Sequence, residues 1–571
     1  MNKKQVIQAL ETIAIYMEIK GENSFKVSAY RKAAQALEMD ERILDQIEDV
    51  SKLKGIGKGT ATVIEELKHE GKSSLLDELK DELPCGLIPL LKLPGLGGKK
   101  IGKLYQELEV VDVETLKQAC IDEKVQVLAG FGKKTEEKIL AAIEEFGKQP
   151  ERLPIALVLP VAQKVEENLA KMDGIIRFCR AGSLRRLRET VKDLDYIIAT
   201  ADPKTVKEEL LKFQNVGDVI ASGDTKVSLQ LKFEDLRISV DFRLVKDEEF
   251  ATALHHFTGS KDHNVKMRQL AKDRGEKISE YGVENLETGE VITFVSEEQF
   301  FNHFGLEFIP PEVREGDGEI DAWQQPNELI TLKDIRGDLH MHSTWSDGAN
   351  SIEEMAERAR EMGYSYIAIT DHSKFLKVAN GLTEVRLKAQ REEIAKLNEK
   401  WEDFTILAGV EMDILPDGTL DYADDVIEEV DFVIASIHSS FSQDRETIMR
   451  RLTTALQSHH VDLIAHPTGR LIGKREGYDV DVELLIDIAI ETDTALELNA
   501  NPHRLDLSAL WIKKAQEKGA RIIINTDAHN LDMLEHMEIG VASARKGWLK
   551  KENVINSWEL SDVLNYLNRN K

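Results

Sequence analysis

The sequence contains only three cysteines in 571 residues, Cys85, Cys120 and Cys179, and they form no Cys-x-x-Cys pair. Such a set builds no even disulfide framework, so we expect a reducing cytoplasm, with the cysteines as buried packing residues. No run of 18 apolar residues occurs, so we expect no membrane-spanning helix. Near the N-terminus the apolar positions from Val6 to Met17 have helical spacing interrupted by acids, which predicts a folded helix rather than a signal peptide.

Positive charge is in deficit, with 75 Lys and Arg against 103 Asp and Glu and a net charge of −28. This balance argues against bulk electrostatic attraction to nucleic acid, but the deficit is uneven along the chain. Residues 1–315 carry 47 basic against 56 acidic residues, a balance of −9, whereas residues 316–571 carry 28 against 47, a balance of −19. A chain of this length predicts several domains, with the acidity concentrated in the C-terminal part.

Beyond residue 336, short apolar runs repeatedly end in a residue that can bind a metal. Strand-like runs separated by amphipathic stretches predict β-α repeats with a parallel sheet covered on both faces. In a β/α barrel the carboxyl ends of the strands converge on one face, where that architecture places its chemistry. The nine candidate ligands are His340, His342, Asp347, His372, Glu411, His438, His466, Asp527 and His529.

Nine ligands exceed the needs of one ion and suffice for two or three, with a carboxylate such as Glu411 shared. Residues two apart on a strand face the same way, so His340 with His342, and Asp527 with His529, are each expected to hold one ion. The mixed ligands suit Zn²⁺, Mn²⁺ or Fe²⁺ rather than Ca²⁺ or Mg²⁺ alone. Such a cluster generates hydroxide from bound water near neutral pH, which predicts hydrolysis of phosphate esters.

Six further residues of this region receive weaker expectations. Asn499 ends another predicted strand and is expected to support the metal ligands, and Arg470 is expected to contact phosphates at the rim of the site. His503 is a second candidate for the rim. The histidines outside the ligand pattern are expected at the surface, and they are His459, His460, His503 and His536.

Three glycine turns in the first 150 residues share the pattern Leu-x-Gly-x-Gly, each followed by a helical stretch. Exposed amides at a helix N-terminus, with no Cβ nearby, suit an approaching phosphate. The pattern resembles the helix-hairpin-helix motif, which grips DNA backbone without reading sequence. A purely structural bend remains the alternative for one or two of the copies. The glycines are Gly55 and Gly57, Gly95 and Gly97, and Gly130 and Gly132.

Paired aspartates mark a second candidate metal site. Asp193 and Asp195 lie two apart on a predicted strand, so both carboxylates face the same side. Asp241, in an alternating run from residue 238 to 243, supplies a third carboxylate from a neighbouring strand. Two Mg²⁺ or Mn²⁺ ions held this way would activate a 3′-hydroxyl and stabilise a leaving pyrophosphate.

A phosphate-binding element precedes the aspartates. Gly182 and Ser183 are expected to open a helix whose amides and hydroxyl meet a triphosphate, and Arg186 adds positive charge. Together with His256-Phe257-Thr258-Gly259-Ser260 farther along, these motifs make residues 1–315 similar to a family X DNA polymerase over essentially their whole length.

That resemblance implies specific roles. Asp193 and Asp195 would bind both metals, and Asp241 would bind the one that activates the primer 3′-hydroxyl. The triphosphate would contact Arg152, Gly182, Ser183 and Arg186, and the sugar would contact Phe257 and Gly259. Asn264 would contact the incoming base, and Arg268 would contact the template strand.

Three positions depart from the family pattern. His256 stands where many relatives have tyrosine, which leaves discrimination against ribonucleotides open. Val63 stands where members with deoxyribose-phosphate lyase activity have lysine, so that activity is not expected. Lys192 replaces a glycine beside the aspartate pair.

Residues 336–571 resemble the polymerase and histidinol phosphatase (PHP) domain, a distorted β/α barrel that carries three metals. The motifs Gly337–Ser343, Thr370–Ser373 and Ala465–Pro467 carry the match, and all nine ligand positions of that family are filled. In relatives the domain removes 3′-terminal nucleotides or acts at abasic sites.

Together the two resemblances identify the sequence as a bacterial family X DNA polymerase with a C-terminal PHP domain. The expected domains are an N-terminal helical DNA-binding domain (1–85), a fingers-like helical domain (86–150), a nucleotidyltransferase palm of α+β type (151–250), a thumb (251–315), a linker (316–335) and the PHP barrel (336–571).

The predicted function is gap filling in DNA repair, including base excision repair, with 3′–5′ exonuclease or abasic-site cleavage in the barrel. The expected partners are gapped or primed DNA and dNTPs, and the protein is expected to be a cytoplasmic, nucleoid-associated monomer. The main alternative is a barrel phosphatase for small phosphomonoesters with an N-terminal DNA-binding tether. A non-enzymatic DNA-end scaffold is a third possibility, which the complete ligand sets disfavour.

Overall fold

A computed structural model describes residues 3–569 apart from 40–43, 45, 46, 48, 94, 95, 146–149, 234, 235 and 324–327. Gly95 of the second glycine turn therefore lies outside the described residues. The chain divides into two compact units, Met1–Gln149 and Pro150–Lys571. Within the described residues, no helix combines the length and apolar character needed to cross a membrane.

The described part of the first unit is helical. Helices begin directly after Gly57, Gly97 and Gly132. The apolar residues nine positions after the first glycine of each turn are fully buried, and they are Ile64, Leu104 and Ile139. The helices are α1 (Lys3–Lys20), α2 (Ser24–Met39), α3 (Lys58–Glu70), α4 (Ser74–Glu82), α5 (Gly98–Leu108), α6 (Val113–Ile121) and α7 (Lys133–Glu145).

The second unit begins with a five-stranded mixed sheet. Its strand order is β2-β4-β7-β6-β5, with β4 and β7 parallel and the other pairs antiparallel. The elements are β1 (Leu153–Pro154), α8 (Ile155–Leu169), β2 (Ile175–Arg180), α9 (Gly182–Arg185), β3 (Thr190–Val191), β4 (Asp193–Thr200), α10 (Pro203–Leu210), β5 (Val216–Ser222), β6 (Lys226–Phe233) and β7 (Leu236–Val245).

The two-residue period of β4 decides which residues line the candidate site. Leu194, Tyr196 and Ile198 pack into the core under α8 and α10. Ile197 and Ala199 face the opposite side and pack against the next helix, Phe250–Thr258. Asp193 and Asp195 share this second face because they have the same parity along the strand.

A smaller region with an antiparallel three-stranded sheet, β10-β9-β8, follows the palm. Its core is rich in phenylalanine and includes Phe300 and Phe301. The predicted linker is packed against it, since Glu319 and Trp323 are buried. The elements are α11 (Phe250–Thr258), α12 (Lys261–Asp273), β8 (Glu276–Ser279), β9 (Gly282–Asn285), β10 (Val291–Ile292), α13 (Glu297–His303) and α14 (Glu319–Ala322).

Seven parallel strands, paired in chain order from β11 to β17, form the C-terminal barrel. A bridge between Met341 and Ala528, with the His342 amide donating to the Ala528 carbonyl at 2.8 Å, brings the first strand against the end of the last. The strands are β11 (Gly337–Met341), β12 (Tyr366–Ile369), β13 (Thr405–Asp413), β14 (Phe432–Ser436), β15 (Leu463–Ile464), β16 (Ala495–Asn499) and β17 (Ile522–Asn525).

Helices cover the outside of the barrel, so strands such as β12 and β17 are buried throughout and read as unbroken apolar runs. The helices are α15 (Ile352–Glu361), α16 (Glu384–Asn398), α17 (Asp424–Ile427), α18 (Arg445–Leu456), α19 (Val482–Glu491), α20 (Ala509–Lys518), α21 (His536–Lys546) and α22 (Leu560–Leu567). The predicted fold class, helical hairpin domains followed by an α+β palm and thumb and a distorted β/α barrel, is confirmed.

Candidate active sites

The nine predicted barrel ligands gather at the carboxyl ends of the strands. Six of them follow their strands within four residues: His342, His372, His438, His466, Asp527 and His529. The exceptions are His340 and Glu411, which lie inside β11 and β13, and Asp347, which lies in the loop after β11. Parallel strands that all end at the same face bring these distant residues together.

Eight of the nine ligands fall into three groups whose ligand atoms all lie within 4.8 Å of one another, and His466 is in none of these groups. Two residues connect the groups: His342 belongs to the first and second, and His372 to the first and third. The groups are His342 with Asp347, His372 and His529; His340 with His342 and Asp527; and His372 with Glu411 and His438.

Glu411 lies at the centre of this arrangement, as expected of a shared carboxylate. Its oxygens lie 2.8 Å from Nδ1 of His372, 3.2 Å from Nε2 of His438 and 3.0 Å from Nε2 of His466. They are also 3.6 Å from Nε2 of His340. A carboxylate surrounded by imidazole nitrogens would hold cations together with those histidines.

Asp527 and His529 fall in different groups, although Nδ1 of His529 lies 3.8 Å from Oδ1 of Asp527, so the expectation that they hold one ion together stays a prediction. Both follow β17 rather than lying in it, and Asp527 has a positive φ of 54°, so the alternation of a strand does not apply. Asp527 lies 3.2 Å from Nε2 of His342, whereas His529 lies 3.4 Å from Asp347 in the neighbouring group.

Burial and neighbouring charges shift the ionisation of the ligands in opposite directions. Burial alone would lower the pKa of His438, but Glu411 and Asp413 raise it to about 10. Burial and the nearby His529 and His372 lower the pKa of His342 to about 3. Without cations, therefore, some histidines take up protons to balance the buried carboxylates.

Two buried carboxylates that were not predicted from the sequence hold ligand histidines in place. Glu497 accepts from Nδ1 of His340 at 2.7 Å, and Asp413 lies 3.3 Å from Nδ1 of His438. Each leaves Nε2 of the histidine for an ion. The signal in the sequence was a charged residue inside an otherwise apolar strand, as in Ala-Leu-Glu-Leu-Asn of β16.

The donor set fits divalent cations. Oδ1 of Asp347 and Oε2 of Glu411 are buried and accept no hydrogen bond from the described residues, an arrangement that is costly unless a cation compensates. Asn499 donates to Asp527 at 3.1 Å and to Glu497 at 3.2 Å, so it touches a ligand and its support.

Other barrel residues differ from their expectations. His460 is only 5% exposed, so its surface assignment is wrong, and His503 and His536 are half-buried. His459 is exposed as expected. Arg470 bonds to Glu189 of the palm at 2.8 Å and to backbone carbonyls, so its guanidinium is committed to contacts within the protein.

The three palm aspartates lie side by side on adjacent strands. Asp195 of β4 is in register with Asp241 of β7. Nζ of Lys226, on β6, lies 2.6 Å from Oδ2 of Asp241. Among the described residues, the three carboxylates do not form a group with all ligand atoms within 4.8 Å, and the lysine supplies positive charge at this position.

Burial, together with Asp193 and Asp241, raises the pKa of Asp195 to about 7. Three carboxylates that repel one another at a protein surface are the environment that binds divalent cations. Gly182 approaches so closely that a Cβ there would lie 2.1 Å from Oδ2 of Asp195. Its φ of +60° also favours glycine.

The predicted nucleotide contacts surround this pair of strands. Gly182 and Ser183 open α9, as expected, and Nη1 of Arg186 donates to the carbonyl of Thr258. Phe257 lies under Arg243, with 4.3 Å between the guanidinium carbon and the ring centroid. Gly259 is the C-cap of α11.

The remaining predicted contacts lie farther out. Asn264 donates to the carbonyl of His256 at 2.8 Å, and Arg152 donates to Thr190 at 3.1 Å. Arg268 is exposed on α12. The assignment of nucleotide and DNA roles to these residues stays a prediction.

The glycine turns are open at the positions that a phosphate would approach. A Cβ added at Gly57 or Gly97, the N-caps of α3 and α5, would meet no atom within 4 Å. Gly55 has a positive φ of 112°, which fits glycine at the turn. The amide of Gly57 donates to Oγ1 of Thr60 at 3.0 Å, so this one amide is already engaged. Val63, at the position of the lyase lysine, is buried.

A palm with three carboxylates and a barrel with a histidine and carboxylate cluster define a metal-dependent enzyme of phosphoryl transfer. Family models match in four places: a helix-hairpin-helix domain at residues 1–73, a SAM-like helix-hairpin-helix tandem at 87–145, the DNA polymerase beta thumb at 253–315 and a PHP domain at 338–501.

Over 570 residues the chain is 63% identical to "DNA polymerase/3′-5′ exonuclease PolX" of Bacillus subtilis (strain 168), covering 100% of both chains. The barrel region is 28% identical to a probable phosphatase of Thermoanaerobacter sp. (strain X514), over 41% of this chain and 95% of the relative. A probable phosphatase of Shewanella sediminis is 26% identical over 38% of this chain and 88% of the relative. The chain belongs to the PolX family of DNA polymerases with a C-terminal PHP domain.

Proposed function

We propose that the protein fills short gaps in DNA at the palm and trims 3′ ends at the barrel. The full-length similarity to a polymerase/3′-5′ exonuclease supports both activities. One structural observation supports the assignment of the two activities to two sites: two separate sets of metal-type ligands lie on two different sheets of the chain.

At the palm, Asp193, Asp195 and Asp241 would hold two Mg²⁺ or Mn²⁺ ions. Such ions, when bound, activate a 3′-hydroxyl and stabilise the charge of a leaving pyrophosphate. Nζ of Lys226 lies 2.6 Å from Oδ2 of Asp241, so the lysine would compete with cations for this carboxylate. Arg186 and the amides of α9 would face the triphosphate of the nucleotide, while Phe257 and Gly259 would lie against its sugar.

At the barrel, the nine ligands would hold two or three ions, for which the donors favour Mn²⁺, Zn²⁺ or Fe²⁺. Bound ions lower the pKa of a water and bind phosphodiester oxygens. Glu497 and Asp413 keep the Nε2 atoms of their histidines directed at the ions. Hydrolysis at a 3′ terminus, or at an abasic site, is the reaction we assign to this centre.

Gapped or primed DNA and dNTPs are the substrates we assign, within base excision repair at the nucleoid. The glycine turns of the first unit supply contacts to DNA backbone through Gly55, Gly57 and Gly97, and Arg268 supplies one to the template strand. The residues that make up both centres come from a single chain, so we propose that the monomer is active.

Single substitutions should separate the two activities on one gapped duplex with a labelled 3′ end. Asp193→Asn should abolish nucleotide addition and leave degradation intact, and His340→Ala should do the reverse. Matched controls are Asp218→Asn, an exposed aspartate on β5 of the same sheet, and His459→Ala, an exposed histidine of the barrel. If His340→Ala leaves metal-stimulated degradation intact, the nuclease assignment is wrong.

The similarity of the barrel to probable phosphatases favours one alternative, hydrolysis of small phosphomonoesters. Turnover of p-nitrophenyl phosphate and of a 3′-labelled oligonucleotide can be compared in Mn²⁺. Faster turnover per active site of the small ester, at matched concentrations, would support the alternative.

A further inference from the structure

The C-terminal end of barrel helix α21 contacts the predicted nucleotide site of the palm. Nζ of Lys546 lies 2.7 Å from Oε1 of Glu315 and donates to the carbonyl of Arg186 at 3.1 Å. It also lies 3.4 Å from the carbonyl of Glu312. The Lys546 side chain is only 14% exposed. A lysine buried with three oxygen partners is held in one place.

The Glu315 carboxylate contacts three positively charged side chains. Besides Lys546, its carboxylate lies 3.4 Å from Nε of Arg186 and 3.5 Å from Nη1 of Arg188. Lys546 makes the shortest of the three contacts. Because Lys546 offsets part of the negative charge of Glu315, the carboxylate neutralises the two arginines less strongly.

Arg186 is held at both ends by these contacts. Its backbone carbonyl accepts from Lys546, and its guanidinium lies between Glu315 and the carbonyl of Thr258. A Cβ on Gly259 would lie 3.2 Å from Nη1 of Arg186. The guanidinium thus joins the segment after α9 to the turn after α11, the two segments assigned to triphosphate and sugar.

We propose that Lys546 of the barrel is a positioning residue for the polymerase site, holding Arg186 where the triphosphate of an incoming nucleotide binds. This inference rests on the proposed function of the palm. Without the lysine, the Arg186 carbonyl loses its donor and Glu315 turns fully toward the arginines. The local charge that faces the nucleotide also falls by one, so nucleotide binding at the palm depends on the presence of the barrel.

The test is steady-state gap filling by the full chain with Lys546→Met. The KM for dNTP should rise about tenfold, as expected for the loss of one charge-assisted contact, while kcat changes less than about threefold. Lys546→Arg keeps the charge and should restore most of the nucleotide affinity. Retained 3′–5′ degradation and an unchanged melting temperature would show that the barrel is folded.

Lys513→Met is the matched control. Lys513 also joins the barrel to the segment after the thumb, with 2.7 Å between its Nζ and Asp317 and its ammonium over Trp548, but it has no contact with Arg186. This variant should keep the wild-type KM. A rise in KM as large as that of Lys546→Met would show a general loosening of the interface and overturn the proposal.

Combining Lys546→Met with Arg186→Ala separates the inference from the proposed function. If Lys546 acts through Arg186, the double variant should have the KM of Arg186→Ala alone. Fully additive effects would overturn the inference. A raised KM for Arg186→Ala with no effect of Lys546→Met would also overturn it, while leaving the proposed palm function in place. No effect of Arg186→Ala would refute the nucleotide role of Arg186 and the inference with it.

Discussion

Replacing Glu497 with glutamine should weaken the barrel nuclease without touching the polymerase. The fully buried carboxylate accepts four hydrogen bonds. Oε1 accepts from Nδ1 of His340 at 2.7 Å and from Asn525 at 3.0 Å. Oε2 accepts from the amide of His466 at 2.7 Å and from Asn499 at 3.2 Å. Two ligand histidines, His340 and His466, therefore depend on one side chain.

The magnitude follows from this geometry. A glutamine retains one acceptor oxygen, but its NH₂ group must face two donors, either His340 with Asn525 or the His466 amide with Asn499. Leaving buried donors unsatisfied costs about 1–3 kcal/mol, or about 5-fold to 150-fold in an equilibrium constant. Burial lowers the pKa of His340, but Glu497 and Asp527 raise it well above the usual value, so the substitution also makes the imidazole a weaker base.

The assay is degradation of a 3′-labelled duplex across a Mn²⁺ titration. Glu497→Gln should shift the metal midpoint upward by about 10-fold to 100-fold, while gap filling in Mg²⁺ stays at the wild-type rate. Glu491→Gln, an exposed residue at the end of α19, is the control and should match the wild type. A Glu497→Gln midpoint within twofold of wild type would refute the reasoning that this carboxylate orients ligand histidines.

Three further predictions concern other parts of the chain. Burial would raise the pKa of Glu297, but Arg314 and Arg185 lower it to about 2, from an unfolded value of 4.5. Ionised Glu297 should therefore stabilise the fold by about 3 kcal/mol at neutral pH, and this stabilisation should be lost as pH falls from about 5 to 2. Thermal melting of wild type and Glu297→Gln between pH 3 and 7 should show a difference that shrinks on acidification, and a constant difference would contradict this. Gly182→Ala should reduce nucleotide addition at least about 100-fold and spare degradation, because the new Cβ would overlap Asp195. Retained gap filling would show that the backbone around Gly182 and Asp195 can shift to accommodate the Cβ. Gly97→Val should keep the melting temperature, because a Cβ at this position meets no protein atom within 4 Å. The variant should raise the Kd for gapped DNA about fivefold in a fluorescence anisotropy titration, because the new side chain would meet a phosphate of the DNA. Unchanged affinity would mark this turn as purely structural.

Periodicity in the sequence predicted the strands and the residues at their ends. Runs such as Ile522–Asn525 are short, apolar and bounded by polar residues, and parallel strands in a barrel must end on one face. The same rule placed Asp193 and Asp195 on one face of β4, opposite Leu194. These inferences held because they depend only on local geometry and on one property of the fold.

The grouping of the predicted ligands required the structure. His340 and His342, the residue directly after β11, share a group as the two-residue period predicts, but Asp527 and His529 lie in a loop where that period does not apply. Lys226 beside Asp241 was equally invisible, because the contact depends on the antiparallel register of β6 and β7. Sequence patterns describe individual strands, whereas these contacts depend on how strands are paired.

The acidity of the C-terminal part, which appeared unfavourable for a DNA substrate, has a local explanation. Several of its acids are buried at the barrel centre, where Glu411 and Asp527 are predicted ligands and Glu497 and Asp413 contact histidines. Two or three divalent ions would add four to six positive charges to this centre, so the net charge counted from the sequence overstates the field that a phosphodiester meets. Removing the metals should therefore weaken DNA binding to the barrel as well as its catalysis. With metal binding at the palm weakened by Asp193→Asn, the chelated protein should lose affinity for a single-stranded 3′ end in a fluorescence anisotropy titration and regain it with Mn²⁺. Equal affinity with and without Mn²⁺ would show that the acidity is not compensated in this way.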